Sequence, residues 1–145
     1  MNHRIKKAGR NIYLLNDIYA EYIVRGSFKK LFKQYFQYGY WKVVLNVMNR
    51  SFVSLRQLIP FFFVGLVFLW PFTLLVSRLL FYVFTVFVIL HLLAAILTSF
   101  KLKASIKVKF FTFISFYILH FSYGIGYAKG ILDFIIFRKK YAESR

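Results

Sequence analysis

Five side chains that could bind a sugar and a phosphate lie close together in the stretch FKQYFQYGYWK, from Phe32 to Lys42. Glutamine amides donate and accept hydrogen bonds, tyrosine and tryptophan rings offer flat faces with a polar edge, and lysine neutralises phosphate. This combination suits an amphiphile that carries a sugar, a phosphate and a lipid tail. Aromatic and lysine residues alone would also make a plain anchor at a membrane interface, and composition leaves both interpretations open. The five candidate residues are Gln34, Gln37, Tyr40, Trp41 and Lys42.

Residues for catalysis or metal binding are scarce elsewhere. The chain has four acidic residues and no cysteine, and it contains no DxD, no glycine-rich phosphate loop and no HExxH. We therefore expect no catalytic residue, no metal site and no cofactor in this chain. Asp133 and Glu143 flank a basic tail, and we expect them to pair with it.

Two histidines and one glycine pair lie in apolar segments. His91 and His120 could be functional, or each could be a neutral imidazole hydrogen-bonded between helices. Gly126 and Gly130 form a GxxxG, which is a weak sign of helix packing, and Lys129 inside the motif weakens it further.

Charge and hydrophobicity segregate along the chain. The formal net charge is +17, and yet 60% of the residues are hydrophobic, above the roughly 45–50% of a soluble domain. Residues 1–56 hold eleven Lys or Arg against two acids, whereas Arg78 is the only charge from 57 to 100. A nucleic-acid-binding domain would instead place its basic residues on one face of a soluble fold. The pattern predicts an integral membrane protein.

Three charge-free segments are long enough to cross a bilayer, which takes about 20 apolar residues. They span residues 57–77, 79–100 and 110–128. Pro60 suits a first helical turn, and Pro71 should kink or end the first span. The first two spans should form a tight hairpin, because only Ser77 and Arg78 separate them. For the third segment we expect a crossing, with re-entry along the interface as the alternative.

An amphipathic helix is predicted before the spans. Ser27 can cap it, and apolar residues follow at helical spacing with lysines and glutamines opposite them, as in a helix that lies in the membrane interface. Gly39 interrupts the pattern at a cost of about 1 kcal/mol relative to alanine, which suggests a bend or the close approach of a backbone or ligand.

The predicted fold is mainly α and integral to the membrane, with an interfacial helix, about three transmembrane helices and a short α/β remnant at the N-terminus. In that remnant, residues 1–26, Gly9 should cap a helix end, and strands are predicted at 11–15 and 18–24, although a basic tail is the alternative. Residues 27–56 form the interfacial helix and linker, 57–137 the transmembrane region and 138–145 a basic tail.

The positive-inside rule places residues 1–56 and the lysine-rich loop 101–109 in the cytoplasm.

The start of the chain resembles the end of the catalytic domain in family 2 glycosyltransferases, particularly the membrane-bound enzymes that build bacterial exopolysaccharides of the succinoglycan type. In that family a Glu-Asp pair containing the catalytic base is followed by a stretch like xNxRIxKAGxxIY. The matching residues are Asn2, Arg4, Ile5, Lys7, Ala8, Gly9, Ile12 and Tyr13.

Three later stretches extend the resemblance over nearly the whole chain. SLRQLIPFFFV resembles the family's entry to its first span, SxRHLxPxxFV, and LHFSYGIGYAKGI resembles its closing xHxxYGxGxxxGL. Its interfacial helix, QxFxYGxWK, is matched by Gln34, Phe36, Tyr38, Gly39, Trp41 and Lys42.

The resemblance implies the membrane-anchoring, acceptor-side portion of an enzyme that transfers a sugar from a nucleotide donor to a lipid-linked or polysaccharide acceptor in the bacterial inner membrane. The full enzyme would use a nucleotide sugar and a divalent cation, Mg²⁺ or Mn²⁺. The expected partners are the bilayer, the lipid-linked acceptor and a separate catalytic chain, but not nucleic acid. The alternative is a small non-enzymatic polytopic membrane protein that binds anionic lipid or a partner protein.

The chain departs from the family in two places. It begins after the position of the Glu-Asp pair, so we expect that the nucleotide-sugar domain is missing and that this piece is inactive alone. Related processive synthases carry Q-x-x-R-W, whose residues contact the donor diphosphate and the acceptor end. Here Tyr40 replaces the arginine between Gln37 and Trp41, which puts a diphosphate role in doubt and leaves acceptor stacking open.

Overall fold

The chain is mainly helical, as predicted. The computed structural model describes residues 5, 8–11, 13, 18–19, 21, 26–49 and 55–139, and this part of the chain contains no strand. A 3₁₀ turn at Leu55–Leu58 leads into the second helix, and a π-helical turn at Leu132–Ile136 extends the fourth. Four α-helices lie entirely within the described ranges: α1 (Phe28–Asn49), α2 (Ile59–Val76), α3 (Arg78–Phe100) and α4 (Ile106–Ile131).

The predicted N-terminal remnant lies largely outside the described residues. Both expected strands, at 11–15 and 18–24, fall mainly on residues that the structure does not describe, and they stay predictions. The helix end is described at Gly9, which has a φ of +71°. The N–H of Arg10 donates to the carbonyl of Ile5 at 3.2 Å, as in a glycine-terminated helix. Glu143, in the basic tail, also lies outside the described residues.

Helix α1 starts where the capping signal predicts. The N–H of Lys30 donates to Oγ of Ser27 at 3.3 Å, which satisfies one of the free donors of the first turn. The helix then runs without a break through Gly39 to Asn49. Gly39 is therefore a packing position and not an interruption.

Helices α2 and α3 form the expected tight hairpin. Ser77 alone separates them and is extended, with φ −161° and ψ 134°. The indole N–H of Trp70 donates to Oγ1 of Thr85 at 2.9 Å, and the Trp70 ring stacks on Phe81 at 5.8 Å between centroids. Pro60 lies in the first turn of α2, as predicted, but α2 continues past Pro71 to Val76. The expectation that Pro71 could end the span is wrong.

In the part of the chain that the structure describes, three helical segments are long and apolar enough to cross a membrane: Leu55–Val76, Arg78–Phe100 and Ile106–Ile136. The third is longer than the predicted 110–128, because α4 extends at both ends through residues with charged side chains. It also runs as one helix through SYGIGYAKG, and the choice between a crossing and a course along the interface stays a prediction. Much of the hairpin's apolar surface is exposed, with Leu75 at 84%, and a bilayer would cover such a surface.

Among the described helices, the tightest packing joins α1 to α4. Phe28 contacts Phe111, Gly39 lies against the backbone of Tyr123, and Tyr40 lies against Gly130. Because the contacting positions increase together along both helices, the two helices run parallel. The sequence predicted an interfacial helix here but did not indicate which helix packs against it, and the structure shows that α4 does.

Glycines make this close approach possible. A Cβ on Gly39 would strike the backbone carbonyl of Tyr123, and one on Gly126 would strike that of Phe36. At Gly130 it would come within 2.8 Å of the Tyr40 carbonyl oxygen. The close backbone approach predicted at Gly39 is thus confirmed. Gly126 and Gly130, the GxxxG pair that the sequence presented only as a weak sign of packing, lie in the same contact. We call this contact, in which Gly39, Gly126 and Gly130 meet the opposite helix, the α1–α4 seam.

Candidate functional site

A cavity of about 420 Å³ opens beside the C-terminal half of α1. The α1 residues that line it recur at intervals of three and four, so one face of the helix presents them together. One residue of the turn before α2 and one of α4 complete the wall. The lining residues of this α1 pocket are Gln37, Tyr38, Trp41, Lys42, Leu45, Gln57 and Tyr123.

Three of the five candidate residues therefore meet in one place: Gln37, Trp41 and Lys42. Trp41 is held by ring contacts with Tyr40 at 5.4 Å and Phe134 at 6.3 Å between centroids. Both ion pairs in the part of the chain that the structure describes involve Asp133, so the Lys42 ammonium is left to bind an anion. The pocket thus offers a fixed aromatic ring, an amide and a positive charge.

Gln57 is a functional candidate that the sequence did not single out. Its side chain lines the α1 pocket and the residue is only 8% exposed. Neither Oε1 nor Nε2 has a hydrogen-bond partner within the described ranges. A buried amide without partners usually costs about 1–3 kcal/mol for each unsatisfied group. The only sequence signal was a polar residue at the entry to an apolar span.

The other two candidates lie outside the pocket wall. The Gln34 side-chain amide donates to the Tyr38 hydroxyl at 2.7 Å, so Gln34 supports a residue that does line the pocket. Tyr40 projects away, and its hydroxyl donates to Oδ2 of Asp133 at 2.9 Å. Burial, followed by the hydrogen bond and the charge of Asp133, raises the pKa of Tyr40 to about 12. The phenol therefore stays a hydrogen-bond donor at neutral pH.

Asp133 joins α1 to the end of α4 and to the tail. Its carboxylate accepts hydrogen bonds from Tyr40 and from Nζ of Lys139 at 2.9 Å, and Nζ of Lys129 lies 3.2 Å away. The predicted pairing of Asp133 with the basic tail is confirmed. Lys129, which lies inside the GxxxG motif, has its ammonium group 3.2 Å from this carboxylate and half exposed, so its charge is paired and not buried.

A second cavity, of about 500 Å³, lies at the N-terminal ends of α1 and α4. None of the residues that line it carries a charged side chain, in contrast to Lys42 in the α1 pocket. Its lining residues are Gly26, Ser27, Phe28, Leu31, Tyr35, Phe111, Ser115 and Leu119.

The two intramembrane histidines contact each other through their rings and not through hydrogen bonds. His91 stacks on Phe63 at 3.9 Å and lies 5.2 Å from His120 between centroids. Nδ1 of His120 bonds to the Phe116 carbonyl of its own helix at 2.8 Å, and Nε2 of His91 has no partner within the described residues. The expected hydrogen bond between helices is therefore not formed in this part of the chain.

The divalent cation that the resemblance implies does not fit the described residues. In the ranges that the structure covers, no three histidine or acidic side chains come together. Comparisons with protein-family models, curated proteins and solved structures return no match to this chain.

Proposed function

We propose that this chain is the membrane-embedded, acceptor-binding portion of a family 2 glycosyltransferase. The α1 pocket would hold the polar head of a lipid-linked acceptor, while the lipid tail lies along the apolar helices. Transfer itself would need a catalytic domain with its nucleotide sugar and divalent cation, because the described residues offer no metal-binding cluster.

The observation that carries this proposal is the convergence of Trp41, Lys42 and Gln57 on one cavity. Each supplies an interaction that a phosphorylated sugar needs: a flat apolar surface, a positive charge and a hydrogen-bonding amide. The cavity's volume falls within the usual range for small-molecule sites, about 300–1,000 Å³. The resemblance of the same helix to the family's interfacial motif supports this assignment.

The lysines of the helix ends suggest an orientation in the bacterial inner membrane. Since α1 and α4 run parallel, Lys29, Lys30 and Lys33 lie at the same end of the pair as Lys107 and Lys109. Positively charged ends of membrane helices favour the cytoplasmic side, where anionic lipids attract them. We assign residues 1–56 and 101–109 to the cytoplasm, because both are rich in lysine or arginine and the two helices between them, α2 and α3, return the chain to its starting side.

The same lysines favour a second candidate function, the binding of anionic lipid without chemistry. The two functions depend on different residues. Anionic lipid would be attracted by the exposed lysines at the helix ends, whereas an acceptor would occupy the pocket that contains Lys42.

Substituting Lys42 by glutamine distinguishes acceptor binding in the pocket from the binding of anionic lipid by surface lysines. In nanodiscs of zwitterionic phosphatidylcholine, Lys42→Gln should lower the affinity for a polyprenyl phosphate that carries one hexose by about tenfold, or roughly 1.4 kcal/mol. The reason is that Lys42 supplies the charge that faces the phosphate. Titration followed by native mass spectrometry measures the affinity.

Lys29→Gln is the matched control, because Lys29 is exposed on α1 and lines neither cavity. It should leave the affinity within twofold of the wild type. Equal losses for the two variants would contradict a pocket-bound phosphate and would support the binding of anionic lipid by surface charge.

A further inference from the structure

We propose that Gln57 binds the sugar of this ligand by pairing its amide with two neighbouring hydroxyl groups. The inference rests on the proposed function and adds a specificity to it. The pocket would distinguish a sugar-bearing lipid phosphate from the bare lipid phosphate, and Gln57 would be the residue that makes the distinction.

Within the part of the chain that the structure describes, the Gln57 amide lacks hydrogen-bond partners at both its oxygen and its nitrogen. Its residue is more than nine-tenths buried, and its oxygen and nitrogen are each unsatisfied within the described residues. Buried polar groups are nearly always hydrogen-bonded, and an exception at the wall of a cavity suggests a missing ligand. The required ligand group must both donate to Oε1 and accept from Nε2.

A phosphate cannot be the ligand group that pairs with both ends of the Gln57 amide. An ionised phosphodiester accepts hydrogen bonds but has no hydrogen to donate, so it would leave Oε1 unpaired. A hydroxyl does both, and two hydroxyls on adjacent ring carbons can meet the two ends of a planar amide at once. Lys42, in the same wall, is the residue suited to the phosphate.

The Gln57 amide faces the pocket from a different element than the other proposed binding residues. Gln57 belongs to the turn before α2, whereas Trp41 and Lys42 belong to α1. The amide and the α1 residues thus come from separate elements. A sugar between them could stack on Trp41 while its hydroxyl edge meets Gln57.

The test compares two ligands on two proteins in phosphatidylcholine nanodiscs. The ligands are a polyprenyl phosphate and the same polyprenyl phosphate bearing one hexose, and the proteins are the wild type and Gln57→Leu. The chain has two tryptophans, so in a Trp70→Phe background Trp41 is the sole tryptophan, and excitation that is selective for tryptophan reports on the pocket. We expect the wild type to prefer the hexose-bearing lipid by tenfold or more. Gln57→Leu should lose that preference and keep its affinity for the bare phosphate within twofold.

Each other outcome decides a different point. Equal binding of both lipids by the wild type would overturn the role of Gln57 and leave the phosphate site standing. Retained preference in Gln57→Leu would also overturn it. Binding of neither lipid would refute the proposed function, and this inference with it.

A thermal melt of the ligand-free proteins separates binding from a structural role. Leucine removes an unsatisfied buried amide, so Gln57→Leu should melt at the same temperature as the wild type or higher. A lower melting temperature would assign Gln57 a structural partner and contradict the inference. Gln57→Met, which preserves the length of the side chain, should repeat both results if the leucine variant does not fold.

Discussion

Replacing Gly39 or Gly126 by alanine should disrupt the pairing of α1 with α4 and destabilise the protein more than any other single methyl group added to the seam. In either case the new Cβ would meet a backbone carbonyl of the opposite helix, that of Tyr123 or of Phe36. Backbone cannot rotate away as a side chain can, so the helices must separate. Overpacking of this kind costs about 1–3 kcal/mol and occasionally more.

The measurement is the free energy of unfolding in detergent, followed by the helical signal in circular dichroism. Gly65→Ala is the matched control, because Gly65 lies within α2 and nothing stands within 4 Å of the position of its Cβ. Alanine there should hold or raise the stability by up to about 1 kcal/mol, which is the gain in helix propensity. If all three variants had the same stability, the α1–α4 seam would not be the packing that holds the bundle together.

The spans could be predicted from the sequence because their cause is local. Long apolar segments with flanking lysines and a capping serine at residue 27 depend only on neighbouring residues, and the structure places helices there. The pairing of α1 with α4 could not be predicted in this way, because it joins positions far apart in the chain. Gly39 looked like a weakness in an isolated helix and becomes necessary only when Tyr123 lies opposite.

The candidate site was partly predictable for the same reason. Gln37, Trp41 and Lys42 share one face of a helix, and their types and spacing are visible in the sequence. Tyr40 precedes Trp41 directly but lies about 100° around the helix from it, on the side away from Lys42, where it meets Asp133. Gln57 could not be recognised, since its unsatisfied amide exists only once α1 and α2 are in place.

Substituting Trp41 by alanine should have the largest effect on ligand binding. Trp41 is the largest apolar side chain in the wall of the α1 pocket, and its contacts with Tyr40 and Phe134 hold it in position before a ligand arrives. Loss of such a central aromatic residue typically costs about 2 kcal/mol or more, so the affinity should fall by roughly 30-fold or more. Sugar transfer by a complex with an added catalytic chain should be abolished.

Trp70→Phe provides the control for Trp41→Ala. Trp70 lies in the α2–α3 hairpin, where it bonds to Thr85, and it lines neither described cavity. This variant should keep the wild-type affinity, and both variants should insert into membranes normally. Unchanged binding by Trp41→Ala would contradict the stacking of the sugar on the Trp41 ring.

The most direct test of the central claim, that the α1 pocket binds a lipid-linked sugar phosphate, is photo-crosslinking with a polyprenyl phosphate hexose that carries a diazirine on the hexose. Mass spectrometry of the labelled protein would locate the attachment. We expect labels on Tyr38, Leu45 and Tyr123, which line the pocket, and we expect them to disappear when unlabelled ligand competes. Labels spread along the exposed apolar faces of α2 and α3, and unaffected by competitor, would contradict it.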